Sequence, residues 1–350
     1  MEKRESIIKT ISSHTPVRIN DIGGWTDTWF SKQGKVLNTA VDPGVDVEIR
    51  VTKNIENKKQ RVSVDAKNFG ERFLVDPDKP EYDRYPLLQA AIGSLPVPED
   101  LKLDIQIDSR IPAGSSTGTS ASVCVALLGA LNQITPQKHA AQEIASLAHR
   151  VETEKLEWQS GIQDQICAAY GGVCFIDMYS YPQARVSKLR LRKQVKKALD
   201  TRLCLIYLGS SHSSSLLHEE VIRLLEDKGS GFPLINKMKE LAREAGPCLL
   251  KGDLDLFGKI MKENNECQRS LHPDLISEQA ESVIRIARKY NASGWKVNGA
   301  GGKGGSLTIL CSDQPIHKKK MLGEINSLGK GIKHIPVSLN FQGLEVTNRS

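Results

Sequence analysis

The hydrophobic pattern of the first 110 residues is typical of β-strands. Apolar residues alternate with polar ones, or β-branched residues run together, over residues 36–51, 60–65, 72–75 and 101–107. Asp42-Pro43-Gly44 interrupts the first of these stretches, so the sequence predicts a hairpin or strand pair there. A helix is predicted over residues 85–94, between the last two strands.

Apolar residues recur at three-to-four spacing in the rest of the chain and predict helices over 120–132, 136–157, 162–170, 214–226, 234–246, 254–267 and 274–290. Strands are predicted over 173–176, 202–208, 295–297 and 306–310, and the last strand-like run ends near Val337. The basic stretch 188–197 is expected to be irregular. We therefore predict an α+β protein of two domains, residues 1–195 and 196–350.

Composition narrows the class of protein. Of 350 residues, 39% are hydrophobic and 25% are charged, and no apolar run approaches the length of a membrane span. The start of the chain lacks the apolar stretch of a signal peptide, so we expect a cytoplasmic protein with no membrane partner. The seven cysteines form no Cys-x-x-Cys pair and indicate buried thiols rather than a zinc site. The net charge is +7, but no aromatic residues are interleaved with the runs of basic residues. This argues against nucleic acid as a partner.

The stretch from Arg110 to Ser122 is the strongest candidate for chemistry. It contains two glycines and six hydroxyl residues, and it joins a strand to the start of an apolar helix. Backbone N–H groups and the helix dipole converge at such a point and attract an anion. The sequence therefore predicts a phosphate-binding loop.

Two further glycine turns accompany this loop. Gly23-Gly24-Trp25-Thr26-Asp27 follows a strand that carries Arg18, and an indole beside a carboxylate suits a sugar. The cluster 299–304 matches the dinucleotide-binding pattern of glycines, but a strand rather than a helix follows it, which excludes a Rossmann site. No Walker loop is present, because Lys303 precedes Gly304 and not Ser or Thr.

The three stretches, in this order, resemble the three motifs of the GHMP kinases, the family of galactokinase, homoserine kinase and mevalonate kinase. The Gly-Gly-Trp-Thr-Asp turn is most similar to the fucokinase and heptose 7-phosphate kinase branch. The chain differs from the family pattern at Ser116 and Thr117, where Gly-Leu is usual, and at Lys303, where glycine is usual. The resemblance implies a ribosomal protein S5 domain 2-like N-terminal domain and a ferredoxin-like α+β C-terminal domain.

The resemblance also implies an ATP-dependent sugar kinase that uses Mg²⁺ and acts at the anomeric oxygen. Asp164 matches the catalytic base and Arg18 its electrostatic partner. Ser120 and Glu152 match the metal ligands, with Thr119 as an alternative to Ser120. The expected nucleotide-binding residues are Pro112, Ala113, Gly114, Ser115, Ser116, Thr117, Gly118, Thr119 and Ser120. The expected substrate-binding residues are Gly24, Trp25, Thr26, Asp27, His212, Gly301 and Gly302.

Several alternatives stay open at the level of sequence. The protein could be a kinase of another small alcohol, such as mevalonate or homoserine, or a non-catalytic sensor of sugar and nucleotide. His212 lies in the serine-rich run 210–215, for which a helix cap competes with a substrate contact. The sequence leaves open which sugar is bound, what Lys303 does, and whether the protein is a monomer or a homodimer.

Overall fold

The computed structural model describes residues 7–55, 57–209, 215–229, 231–329 and 331–349. These residues form two β-sheets with helices packed against them. The strands of the first sheet are β1 (Lys9–Ile22), β2 (Gly34–Lys53), β3 (Val62–Ala66), β4 (Glu71–Val75), β5 (Leu101–Ser109), β6 (Val173–Ser180), β7 (Gln183–Lys188), β12 (Ser338–Leu339) and β13 (Glu345–Arg349). Those of the second are β8 (Leu203–Leu208), β9 (Gly294–Val297), β10 (Ser306–Leu310) and β11 (Ile332–Ile335).

The helices fall into two groups along the chain. The first group is α1 (Pro86–Ile92), α2 (Thr119–Leu131), α3 (Ala141–Arg150) and α4 (Gln163–Tyr170), with a π-helical turn over Val151–Lys155. The second is α5 (Lys193–Arg202), α6 (Ser215–Lys228), α7 (Pro233–Lys251), α8 (Leu254–Leu271), α9 (Glu278–Lys289) and α10 (Pro315–Asn326). Strands β1 and β2 contact helix α2 and also helix α7, so they lie at the centre of the molecule.

The first sheet has the order β13-β1-β2-β5-β3-β4, and β6 and β12 also pair with β2. Its core contains Ile49 of β2, Leu103 of β5 and Leu127 of α2, all fully buried. Helix α2 is apolar nearly all round, because it lies between the sheet and the neighbouring helices α1, α3 and α4. The loop before α2 is thus held on a rigid, buried element.

The second sheet has the order β11-β8-β10-β9 with antiparallel neighbours. Read along the chain, its elements follow the β-α-β-β-α-β succession of a ferredoxin-like fold, with several helices in the first connection. The expectation of a ferredoxin-like α+β arrangement in the C-terminal half is thus confirmed. The division of the chain between residues 195 and 196 stays a prediction. Strands β12 and β13, which lie after this point in the sequence, pair with strands of the first sheet.

Three local expectations were wrong. Residues 36–51 form no hairpin, because they belong to the single strand β2, both halves of which pair with β1. A shift of register between Thr15 and Val17 absorbs Asp42-Pro43-Gly44 as an irregularity. Gly44 lies so close to β1 that an added Cβ would be 1.9 Å from the Thr15 carbonyl oxygen.

The predicted helix 136–157 is shorter in the structure. The Asn132 side chain bonds the backbone N–H and carbonyl of His139, which holds the intervening residues in a loop. Helix α3 then starts at Ala141, and the Glu143 carboxylate accepts a hydrogen bond from the Ala140 N–H. The basic stretch 188–197 is also more regular than expected, because it contains the end of β7 and the start of α5.

Candidate active site

The turn after β1 is held tightly against β2. Gly23 has φ 84°, and a Cβ there would lie 2.1 Å from the Lys35 carbonyl oxygen. Trp25 also has a positive φ, 75°, and its ring meets the His218 ring edge-on with centroids 6.2 Å apart. The two glycines therefore allow the chain to reverse here and direct Trp25 toward helix α6.

The loop between β5 and α2 ends in a glycine that contacts the candidate base. Gly118 precedes α2 with φ 68°, and a Cβ there would lie 2.7 Å from Asp164 Cγ. Gly114 has φ 70°, and Ser116 adopts φ 55° although it is not glycine. The backbone conformation thus tolerates Ser116 at the position where the family pattern has glycine.

Arg18 and Asp164 form the ion pair that the resemblance implied. The Arg18 Nε–H donates to Asp164 Oδ1 at 2.8 Å, and Nη2 donates to Oδ2 at 3.2 Å. Arg18 is 4% exposed, whereas the Asp164 side chain is 29% exposed. Arg18 Nη1 also donates to the Ser116 carbonyl oxygen at 3.2 Å. The two-point contact fixes the carboxylate beside the phosphate loop and leaves it open to solvent.

Asp27 connects the first turn to the start of α4. Its Oδ2 accepts a hydrogen bond from the Gln163 backbone N–H at 3.0 Å, and its Oδ1 accepts from Gln163 Nε2 at 3.2 Å. Burial, with the nearby Asp164 charge, raises the pKa of Asp27 to about 6. Gly161 packs against this carboxylate, since an added Cβ would lie 2.4 Å from Oδ2. Asp27 therefore positions the helix that carries Asp164.

The third glycine turn connects β9 to β10 and lies on the phosphate loop. Gly299, Gly301 and Gly302 have φ values of 62°, 82° and 94°. A Cβ on Gly299 would lie 3.1 Å from the Ser116 carbonyl oxygen, and Ser306 Oγ donates to the Ser115 carbonyl oxygen at 2.6 Å. The three glycine segments, far apart in sequence, therefore meet at one place.

Two cavities flank this meeting point. The larger, about 350 Å³, is lined by Phe69, Tyr85, Trp158, Val123 and the loop residues Ala113, Gly114, Thr119 and Ser120. The other, about 230 Å³, is lined by Arg18, Trp25, Asp27, Trp29, Asp164 and His218, among others. Asp164 faces the second cavity, while its neighbour Gly118 lies between Ala113 and Ser120 in the loop that borders the first.

Glu152 lies on the π-helical turn and is 6% exposed. Its Oε2 accepts hydrogen bonds from Ser160 Oγ at 2.6 Å and from Gln165 Nε2 at 2.7 Å. Burial raises the pKa of Glu152 to about 7, and the Asp164 charge adds to this effect. Among the residues that the structure describes, none donates to Oε1. A buried carboxylate with one oxygen that accepts no hydrogen bond from a described residue is suited to bind a hard cation.

The chain belongs to the GHMP kinase family, because the models of both domains of that family match it. The model of the GHMP kinases N terminal domain matches residues 86–172, and that of the GHMP kinases C terminal matches residues 238–320. This membership confirms the fold and family expected from the three motifs.

Relatives of this GHMP kinase carry kinase names. A bifunctional fucokinase/GDP-fucose pyrophosphorylase of Arabidopsis thaliana is 28% identical over 85% of this chain, which spans only 29% of that protein's length. A D-glycero-alpha-D-manno-heptose 7-phosphate kinase of Campylobacter jejuni is 24% identical, over 85% of this chain and 88% of the relative. A solved D-glycero-D-manno-heptose 1-phosphate kinase from Bacteriodes thetaiotaomicron has a TM-score of 0.73 at 19% identity, covering 96% and 98% of the two chains. This likeness shows the fold.

These matches support a phosphotransferase that acts on an alcohol group and uses ATP, as expected for a GHMP kinase.

The roles of the individual site residues stay predictions. The structure brings together Arg18, Asp164, Asp27, Trp25 and the loop 112–120, but it places the polar atoms of Asp27 against Gln163. His212 lies outside the described residues. No helix in the described part of the chain has the length and apolar character needed to cross a membrane.

Sequence reasoning missed three residues of this GHMP kinase site. His218 lines the smaller cavity, with Nε2 3.3 Å from the Gly301 carbonyl oxygen, and burial lowers its pKa. Asp21 and Lys296 form a fully buried ion pair beneath Arg18. A helical wheel of α6 could have identified His218. Nothing local to Asp21 or Lys296 indicates their pairing, because 275 positions separate them.

Proposed function

We propose that this protein is an ATP-dependent sugar kinase. The observation that carries the proposal is the Arg18–Asp164 pair, which lies between a glycine-rich loop and a small cavity with two tryptophans and three carboxylates among its lining residues. Aromatic faces beside carboxylates suit the C–H surface and the hydroxyls of a sugar. The names of the relatives support the same class of acceptor.

Asp164 would accept the proton of the sugar hydroxyl as the hydroxyl oxygen attacks the γ-phosphorus of ATP. The bond between that phosphorus and the β–γ bridging oxygen breaks, and ADP leaves. Arg18 holds this carboxylate in place from the buried side, and its charge lies close to the developing negative charge of the reacting oxygens. Transfer of a phosphoryl group depends mainly on such positioning and charge neutralisation.

The larger cavity would hold the nucleotide base, with the phosphates at the start of α2. Phe69 and Tyr85 lie on its wall with ring centroids 5.2 Å apart, a surface suited to a flat aromatic base. The backbone N–H groups of residues 112–120 would contact the phosphates. We expect the hydroxyl side chains at Ser116 and Thr117 to leave these contacts intact.

Glu152 and Ser120 would bind Mg²⁺ together with the nucleotide phosphates. The fit rests on the buried Glu152 carboxylate, whose Oε1 no described residue contacts by a hydrogen bond. Thr119 and Ser120 both border the cavity, but the hydroxyl of Thr119 lies 3.1 Å from that of Thr117. This favours Ser120 over Thr119. The bound ion would neutralise charge on the phosphates.

A panel of free sugars and sugar phosphates, incubated with ATP and Mg²⁺, tests the function. We expect one sugar to be phosphorylated at its anomeric oxygen, and phosphorus NMR of the product locates the new ester. Mevalonate and homoserine in the same panel test the alternative that this protein phosphorylates another small alcohol. ATP binding without turnover of any compound would favour a sensor and contradict the proposal.

Asp164→Asn tests the base. We expect kcat to fall by about a hundredfold or more, with ATP binding retained, because the amide cannot accept the proton. The exposed Asp255 on helix α8 provides the control variant Asp255→Asn. Turnover of the identified sugar at the wild-type rate by the Asp164 variant would remove Asp164 from the mechanism and leave the family assignment unchanged.

A further inference from the structure

Lys296 is an unusual lysine, because its whole side chain is buried. It lies on β9 and is 1% exposed, and its Nζ donates to Asp21 Oδ1 at 3.0 Å and to the Val297 carbonyl oxygen at 2.7 Å. The Asp21 side chain, at the end of β1, is also 1% exposed. A buried ion pair costs desolvation on both sides, so its presence at this place calls for a reason other than stability.

Asp21 Oδ1 is the point where several groups of the site meet. Besides Lys296, it accepts a hydrogen bond from the Gly299 N–H at 3.2 Å, and it lies 3.3 Å from Arg18 Nη1. Gln268 Nε2 donates to the Gly299 carbonyl oxygen at 3.1 Å. One carboxylate oxygen thus connects the third glycine turn with the guanidinium that holds Asp164.

Two carboxylates contact the Arg18 guanidinium, and Lys296 supplies a second positive charge beside them. Arg18 lies between the carboxylates of Asp164 and Asp21, and Lys296 lies on the far side of Asp21. Without the ammonium group, two carboxylates would share one guanidinium in a buried place. The uncompensated Asp21 would then attract Arg18 strongly, because charges interact strongly where water is excluded.

We infer that Lys296 is a positioning residue of the phosphoryl transfer: by pairing with Asp21 it leaves the Arg18 guanidinium to Asp164. This inference rests on the proposed kinase function. Lys296 contacts neither cavity directly, and it acts through Asp21 and Arg18. Lys296 lies on a strand of the second sheet, and Asp164 lies on helix α4. The charge of Lys296 thereby helps to position a base that belongs to the N-terminal part of the chain.

Three variants of the 350-residue chain separate this role from a purely structural one. Lys296→Met leaves Asp21 unpaired, and we expect kcat for the identified sugar to fall by about tenfold to a hundredfold. KM for ATP should change less than threefold. Asp21→Asn removes the competing carboxylate and is the second single variant of a double-mutant cycle with Lys296→Met. The double variant Asp21→Asn/Lys296→Met is again balanced in charge and should recover most of kcat.

Lys319→Met is the matched control, because Lys319 is an exposed lysine on α10. Circular dichroism and urea unfolding establish that each variant is folded at the assay temperature. If Lys296→Met does not fold, Lys296→Gln replaces it, since the amide can still donate to Asp21 but carries no charge. The loss of kcat should persist in that variant.

The outcomes are distinct from those that test the function itself. An inactive wild type across the sugar panel would contradict the proposed kinase. With an active wild type, an unchanged kcat in folded Lys296→Met would overturn the positioning role. A double variant as impaired as Lys296→Met would overturn it as well, because the loss would then come from packing. Recovery in the double variant supports the inference.

Discussion

At the scale of one residue, the buried Glu152 destabilises the folded protein when its carboxylate is charged. Its pKa in the folded protein is raised to about 7 by burial, above the ordinary value of 4.5. The folded state therefore binds this proton more tightly than the unfolded state does. The protonated Glu152 carboxyl contributes fully to the stability of the folded state below pH 4.5, and this contribution is lost as the pH rises through about 7.

We expect Glu152→Gln to raise the free energy of unfolding at pH 8 by about 1–3 kcal/mol in the absence of metal, and to raise it much less at pH 5. Urea denaturation at both pH values measures the difference. Glu154→Gln, at an exposed position on the same turn, is the control. An equal gain at both pH values would show that the charge of Glu152 is not its cause.

The same variant tests the metal site. Mg²⁺ with nucleotide should stabilise the wild type and should do so more at pH 8 than at pH 6, because the ion needs the deprotonated carboxylate. In Glu152→Gln this added stabilisation by Mg²⁺ should be lost. A thermal shift with Mg²⁺ that is the same in the variant and the wild type would exclude Glu152 as a ligand.

At the scale of elements, the start of α2 and the start of α4 form one unit. Gly118 and Gly70 have similar backbones, with φ values of 68° and 64°, but their surroundings differ. An added Cβ on Gly118 would collide with Asp164, whereas a Cβ on Gly70 would meet nothing within 4 Å. The absence of a side chain at Gly118 lets the phosphate loop and the candidate base approach each other.

Gly118→Ala should therefore lose both stability and activity. We expect Gly70→Ala to lower the free energy of unfolding by about 1 kcal/mol, which is the cost of a left-handed alanine. Gly118→Ala should cost more and should lower kcat by about tenfold or more, because Asp164 must shift. Urea unfolding and steady-state kinetics of both variants measure this. Equal effects in the two variants would mean that the contact with Asp164 is unimportant.

At the scale of the whole molecule, the last strand described, β13, pairs with the first, β1. Strand β13 is antiparallel to β1, from the pair Thr10 and Arg349 to the pair His14 and Glu345. Leu344 packs on Gly129 of α2, where an added Cβ would lie 2.6 Å from Leu344 Cδ1. The last residues of the chain thus support the helix that follows the phosphate loop.

A chain that ends at Gly343 lacks both Leu344 and β13. We expect its free energy of unfolding to fall by about 2–4 kcal/mol, because a ladder and an apolar contact are lost. Leu344→Ala keeps the strand and should lose about half as much. Urea unfolding followed by tryptophan fluorescence measures both. If the shortened chain unfolds at the wild-type urea concentration, β13 contributes nothing to the stability of the first sheet.

The sequence determined by itself those features that depend on neighbours along the chain. Periodicity located most strands and helices, and the glycine turns at Gly23, Gly118 and Gly299 marked positions where the backbone needs left-handed angles or close contacts. The order of these turns was enough to identify the family and to propose Arg18 and Asp164 as partners. Their pairing in the structure agrees with that proposal.

Only the tertiary structure decided which distant residues share the site. It joined β2 into one strand, returned β13 to β1, and placed His218 on the smaller cavity. It also paired Asp21 with Lys296. Local patterns report the conformation of a few consecutive residues, whereas a buried charge is acceptable only beside the partner that the packing of the two sheets brings to it.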